Sequence, residues 1–283
     1  MSSMKISAKT KIRHRNELNQ TLAQLPLPAK RVIFMALAPI DSKTPIEEGR
    51  VFKIRAEDLS AVSEISPSAA YKQLQEGAKI LKHSSLVLTG DDVVALAGDL
   101  NLPYSSKYKP SDLDLSITDF CAYFKNEGFL ELRFSRAIEP YISNLIGNKN
   151  KYTTQFFTST MRLSGKHSFS LYQLIRMNYS RSKGKCDFVI SIKDLKEEII
   201  AYTFNSDGDI EYLYPSFPIF KRDVLNKAIS EIEKKTEIKK IFVSVHAKEG
   251  RKVSSLKFEF VLDESVEAEE IDSEADLLNL LKK

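Results

Sequence analysis

The chain has 283 residues, 42% of them hydrophobic and 28% charged, with two cysteines and a formal net charge of +4. That length suggests two domains at about 100 to 200 residues each, with enough apolar content for a sizeable core, and no long polar tract marks it as disordered. Cys121 and Cys186 stand far apart without metal-ligand spacing, which argues against a disulfide framework or a zinc ribbon, and no run of 18 or more apolar residues reads as a membrane span.

The N-terminus MSSMKISAKTKIRHR is basic and lacks the apolar run of a secretory signal, so a cytoplasmic protein is expected. Apolar residues at Leu18, Leu22 and Leu25, then Val32, Ile33 and Leu37, with Pro26 and Pro28 between, predict a short helix, a break and a second helix. The leucine spacing is zipper-like but spans one heptad, so packing into the first domain's core is favoured over a dimer contact.

Two stretches then resemble each other at an offset of 136 residues: VFKIRAEDL from Val51 and FVISIKDL from Phe188, with Asp58 and Leu59 matched by Asp194 and Leu195. Each reads as a short strand followed by a short helix. A proline, Pro67 or Pro218, then starts a second helix where the first turn needs no N–H donor; in the second copy a loop containing NSDGD intervenes. Hairpins are read around Gly90 in LVLTGDDVVAL, around Asn126 to Gly128 in FCAYFKNEGFLELRF, and around Lys248 to Lys252 in IFVSVHAKEGRKVSSLKFEFV. In the last, Val243 and Val245, then Phe258 and Phe260, alternate as in strands with one wet face. YTTQFFTSTMRL and SFSLYQLIRMNY have helical periodicity and are expected to open the second domain, with the boundary near Gly147 to Lys151. Strand, helix, turn, helix and hairpin is the order of a winged helix, whose second helix enters the major groove. The predicted class is α+β: two tandem winged-helix domains, each a helix-turn-helix with a β-hairpin wing, at 1–150 and 151–262, and an acidic tail at 263–283.

Charge divides unevenly along this order. The tail carries a net −6, residues 1–150 a net +3 and residues 151–262 a net +7. The second domain is therefore the stronger polyanion binder. On its second helix, Val224, Leu225, Ala228, Ile229 and Ile232 form the core side. Roughly opposite lie Asp223, Asn226, Ser230 and Lys234, flanked by Arg222 and Lys227, with Lys221 at the helix start. These residue types reach phosphates and base edges, and a basic wing tip, Lys248, Arg251 and Lys252, follows at the distance a winged helix needs. In the first copy Ser66 is a natural N-cap, and Ser68, Tyr71, Lys72, Gln75 and Lys79 form a polar, less basic face. This face is either a supporting DNA contact or a solvated helix surface.

Nothing points to catalysis. SGKHS at Ser164 lacks the upstream glycine of a phosphate loop. His14, His83, His167 and His246 are isolated, without the metal cluster that nicking enzymes pair with a tyrosine. The adjacent carboxylates Asp91-Asp92, Glu197-Glu198 and Glu269-Glu270 diverge on a strand or helix and read as solvated surface. No catalytic residue, metal or cofactor is expected.

KTKIRHRNELN, LAQLPLPAKRV, GRVFKIRAEDL, IEPYISNLIG, SLYQLIR, FPIFKRDVLNKAI and KEGRK resemble segments of the Rep family of iteron-binding plasmid replication initiators, across nearly the whole chain. The resemblance implies monomers that bind tandem origin iterons in double-stranded DNA to promote opening. It also implies dimers, formed mainly through the first domain, that bind an operator inverted repeat and repress transcription, and host replication proteins as further partners. A tandem winged-helix repressor without a replication role and a rolling-circle nicking enzyme are the competing readings.

Overall fold

A computed structural model describes residues 9–89, 93–94, 102–105, 107–146, 151–180 and 186–263, and the chain divides into two compact units between Thr153 and Thr154. The turn at Gly90, Asp91-Asp92, the boundary at 147–150, Glu269-Glu270 and the tail beyond Asp263 lie outside the described residues.

In the first unit, β1 (Lys11–Arg15) leads to α1 (Leu18–Gln24) and α2 (Leu27–Leu37), separated at the prolines as expected. Leu18 and Leu22 are buried in the core. The repeat begins with β2 (Phe52–Arg55), α3 (Ala56–Ser63) and α4 (Pro67–Leu81), where Ser66 Oγ accepts from the Ala69 amide as N-cap. Helices α2 and α4 approach so closely that a Cβ on Gly77 would sit 2.7 Å from Val32 Cγ2 and 2.8 Å from the Pro28 carbonyl. The wing is β5 (Thr118–Phe124) and β6 (Phe129–Phe134), turning at Gly128 with φ +67°. β2 returns to pair with β6, giving the order β2-β6-β5 with Ile54 opposite Leu130 and both buried. A short helix, α5 (Glu139–Ile142), follows.

One hairpin is corrected. β3 (Ser85–Thr89) pairs with β4 (Asp112–Ser116), not with the neighbouring VVAL, and Val93-Val94 are helical. Leucine matching explains the choice: Leu86 faces Leu115 and Leu88 faces Leu113 across the ladder.

β7 (Tyr152–Phe156) then runs from one unit into the next. YTTQF is thus a strand rather than the start of a helix, since its β-branched and aromatic residues favour extended backbone; the helix begins only at α6 (Phe157–Arg162), with α7 (Lys166–Asn178) after it. The second copy of the repeat is β8 (Asp187–Ser191), α8 (Ile192–Glu198) and a helix α9 (residues 217–235). The loop around NSDGD is built as a hairpin, β9 (Tyr202–Phe204) and β10 (Ile210–Tyr212), with Asn205 Oδ1 accepting from the amides of Asp207 and Asp209. The wing is β11 (Ile238–Glu249) and β12 (Lys252–Leu262), and β8 pairs with β12 as β2 does with β6, giving β11-β12-β8. Phe258 and Phe260 are buried, with Phe188 stacked on Phe258 at 5.0 Å. On β11 the expected alternation holds at Val243, half-buried against the core, and fails at Val245, which is exposed. Beyond Val243 that strand leaves the core, and two register shifts between Val245 and Lys248 bend it away.

Candidate nucleic-acid interface

Helix α9 is continuous but not uniform: an α-helical turn Phe217–Phe220, a π-helical turn Lys221–Leu225 and an α-helical body Asn226–Lys235. Pro218 sits in its first turn, where no intrahelical donor is needed. Phe220, Val224, Leu225, Ala228 and Ile232 are buried in a core with Leu171, Leu195, Leu256 and Phe258, and Ile229 packs against its edge. Burial of each of the larger side chains here, Phe220, Val224, Leu225 and Ile232, contributes about 1.5–3 kcal/mol, so this stripe fixes which face turns outward.

That outward face carries Lys221, Arg222, Asn226, Lys227, Ser230 and Lys234, all exposed, and Asp223 half-buried among them. Arg222 Nε donates to Asp223 Oδ1 at 3.0 Å and Nη2 to Oδ2 at 2.7 Å, while Lys227 Nζ lies 3.8 Å from Oδ1. Hydrogen bonding from Arg222 holds the Asp223 carboxyl below its usual range. Lys234 lies 13 residues beyond Lys221, roughly 20 Å along the axis at 1.5 Å per residue, so it belongs to the far end of the helix. The wing turns at Gly250, φ +61°, and Lys248, Arg251 and Lys252 around it are exposed. Lys235, Lys239, Lys240 and Lys257, in contrast, are each within ion-pair distance of a carboxylate. Among the described cations of this face, Lys221 at the helix start and Lys248, Arg251 and Lys252 at the wing tip have no such carboxylate, while Arg222 and Lys227 share Asp223.

In the first unit, Ser68, Tyr71, Lys72 and Lys79 are exposed on α4 and Gln75 is half-buried. Tyr71 is also structural. Its ring crosses the wing turn, where a Cβ on Gly128 would come 2.5 Å from the phenol oxygen.

The SGKHS segment is explained by an internal ligand. Ser164 and Gly165 donate their amides to Glu231 at 3.0 and 3.1 Å, Ser164 Oγ donates at 2.9 Å, and Lys235 Nζ at 2.6 Å. The N-terminus of α7, where helices bind anions, is thus filled by a carboxylate from α9 and locks the two helices together. His167 Nδ1 lies 2.8 Å from the Ile199 carbonyl, and His14 is buried. Among the described residues no group of three or more His, Cys, Asp or Glu is placed to hold a metal ion, and no helix is long and apolar enough to cross a membrane.

The family described as Initiator Replication protein, WH1, matches residues 11–176, and that described as Initiator Rep protein, WH2, matches residues 191–260. The chain belongs to the initiator Rep protein family. The chain carries tandem winged helices, WH1 and WH2, with α4 and α9 as the second helices of the two motifs. The PI protein of Escherichia coli is 63% identical over 277 residues, 98% of this chain and 91% of that protein. A solved structure, described as the crystal structure of Pi initiator protein in complex with iteron DNA, is similar with a TM-score of 0.84 and 62% identity over 92% of this chain and 100% of the other.

Proposed function

We propose that this initiator Rep protein binds repeated iterons in double-stranded origin DNA as a monomer to promote origin opening, and binds an operator inverted repeat as a dimer to repress its own transcription. The observation that carries the reading is the second winged helix: an exposed basic helix start and an unpaired basic wing tip lie on one unit, in a chain 62% identical to an initiator solved with iteron DNA. Lys221, Arg222, Asn226, Lys227 and Ser230 work in or beside the major groove, Lys234 reaches the backbone at the far end of α9, and Lys248, Arg251 and Lys252 clamp phosphates from the wing. Ser68, Tyr71, Lys72, Gln75 and Lys79 give an auxiliary contact from residues 1–150, and residues 151–262 supply the main recognition.

The first unit also supplies the dimer contact. Support comes from the outer face of β5 and β6, where Phe120 and Phe124 are exposed and Phe124 stacks on Phe129 at 4.5 Å, an apolar surface of the kind that marks protein interfaces. Host replication proteins are the remaining partners, and the protein acts in the cytoplasm by binding rather than by cutting DNA.

Footprinting on the DNA flanking the gene tests the reading. Tandem direct repeats protected together with one inverted repeat are expected. An inverted repeat alone would make the protein a repressor, and a nicked product with a covalent tyrosine adduct on supercoiled DNA would make it a nicking enzyme.

A further inference from the structure

We infer that Asp223 is a positioning residue that turns Arg222 into a reader of guanine and withholds it from phosphates. The inference rests on α9 being the DNA-reading helix, as proposed above, and its starting point is which edge of the guanidinium is occupied. Arg222 Nε and Nη2 both donate to the Asp223 carboxylate, at 3.0 and 2.7 Å, so the side edge of the planar fork is filled. A guanidinium has five N–H donors. The three left lie on Nη1 and Nη2, at the end of the fork, and that end edge can span guanine O6 and N7 in the major groove.

Stability does not account for the pair. Arg222 is 72% exposed, and ion pairs between exposed side chains contribute little to folding. Both residues also lie outside the buried stripe of Val224, Leu225, Ala228 and Ile232. On a DNA-facing turn a carboxylate is otherwise a liability, since it repels every phosphate it nears. Its presence is explained if it neutralises Arg222 against phosphates while holding the fork for a base, because a paired guanidinium gains less from a phosphate than a free one. Lys227, 3.8 Å from the same carboxylate, is drawn into the same arrangement. The π-helical turn Lys221–Leu225 places both partners on one widened turn, of a kind that often occurs at functional sites.

The test uses the full chain and fluorescence anisotropy on three kinds of duplex: one footprinted origin repeat, a series of that repeat with each guanine replaced in turn by 7-deazaguanine, and a scrambled sequence at two salt concentrations. For the native protein, one guanine position is expected to weaken binding by roughly 5- to 150-fold when its N7 is removed. Asp223→Ala should lose that dependence, bind the scrambled duplex several-fold more tightly and steepen its salt slope by about 0.9, one added phosphate contact. Asp223→Asn, which keeps the shape, should fall between the two, and thermal melts of both variants should overlay the native curve. Unchanged guanine dependence and unchanged scrambled-DNA affinity in Asp223→Ala, with Arg222→Ala impaired, would overturn the proposal and leave α9 as the reading helix. Native behaviour of both Arg222→Ala and Lys221→Ala would remove α9 from the DNA altogether. Absence of any sensitive guanine for the native protein would also overturn the proposal.

Discussion

Glu231 and His14 show how burial is answered at single residues, once with a full set of partners and once with a single contact that does not offset it. Burial drives the Glu231 pKa up, but hydrogen bonds from Lys235, Ser168 and both the amide and hydroxyl of Ser164 outweigh it and hold the group at about 2. Its folded pKa thus lies below the unfolded value, so the stability it contributes is present above pH 4.5 and is lost as pH falls through about 2. Glu231→Gln should destabilise the second unit by about 1–3 kcal/mol, the usual penalty for unmaking such contacts, read as a lower melting temperature at pH 7. A melting curve that matches the native one would mean that the α7 terminus is capped by water equally well. His14 is the opposite case. Burial lowers it to about 4, only partly offset by its contact with the Arg15 carbonyl, and its Nε2 has no hydrogen-bond partner. Between pH 6.5 and 4 the unfolded chain binds the proton and the fold does not, so stability falls with pH across that window, by about 3 kcal/mol in all. His14→Phe should flatten the melting temperature between those pH values; an unchanged slope would place the titration elsewhere. Neither role was legible in the sequence, where SGKHS read only as a failed phosphate loop and His14 as one isolated histidine, because the first depends on Glu231, distant in the chain, and the second on how deeply the fold buries the ring.

At the level of elements, what was legible followed from local periodicity and turn chemistry. The offset pair around Asp58 and Asp194, Pro67 and Pro218 at helix starts, and the Gly128 and Gly250 turns fixed both winged helices, since each signal is complete within a few residues. Strand partners were not local, so β3 was matched with the wrong segment, and β7 and the β9–β10 hairpin were missed. The π-helical turn in α9 escaped for another reason: the 100° wheel that identified its core face assumes a regular helix. A buried network shows the same dependence on distant partners. Glu237, just before β11, accepts from Ser159 of α6 at 2.7 Å, from Tyr172 of α7 at 3.0 Å and from Arg176 at 3.2 Å, while Arg176 Nε donates to the Thr154 carbonyl of β7 at 2.9 Å. Arg176 and Glu237 are both buried, and an unpaired charge there is expensive. Glu237→Leu alone should destabilise by about 3–5 kcal/mol, whereas adding Arg176→Met should recover much of that. Denaturant midpoints of the two single variants and the double variant decide it: simple additivity would mean that the pair is not coupled.

For the whole molecule the decisive property is how +4 is distributed, not its size. Residues 151–262 hold +7 and the tail −6, and folding narrows the positive field further by pairing Lys235, Lys239, Lys240 and Lys257 with carboxylates. On the second unit, what remains unpaired among the described cations of the proposed interface is Lys221, Lys234, Lys248, Arg251 and Lys252, with Arg222 and Lys227 shared with Asp223. Each phosphate contact releases counterions and adds about −0.9 to the slope of log affinity against log salt. If about six of these seven engage the backbone, the slope on a footprinted repeat should be near −5. The wing makes a separable share of it: replacing Lys248, Arg251 and Lys252 together by alanine should reduce the slope by up to roughly 2.7. Because those side chains sit beyond the part of β11 that touches the core, their loss should leave the melting temperature within a few degrees of the native value, as for surface changes of about 0.5 kcal/mol. Affinity for repeat and scrambled DNA should fall together, since phosphates carry no sequence information, and this separates the wing from Arg222, whose loss should act on the repeat more than on scrambled DNA. Anisotropy titrations at four salt concentrations measure both quantities. A native slope shallower than about −2, or a wing variant that loses discrimination while keeping its slope, would show that these cations are not the backbone clamp.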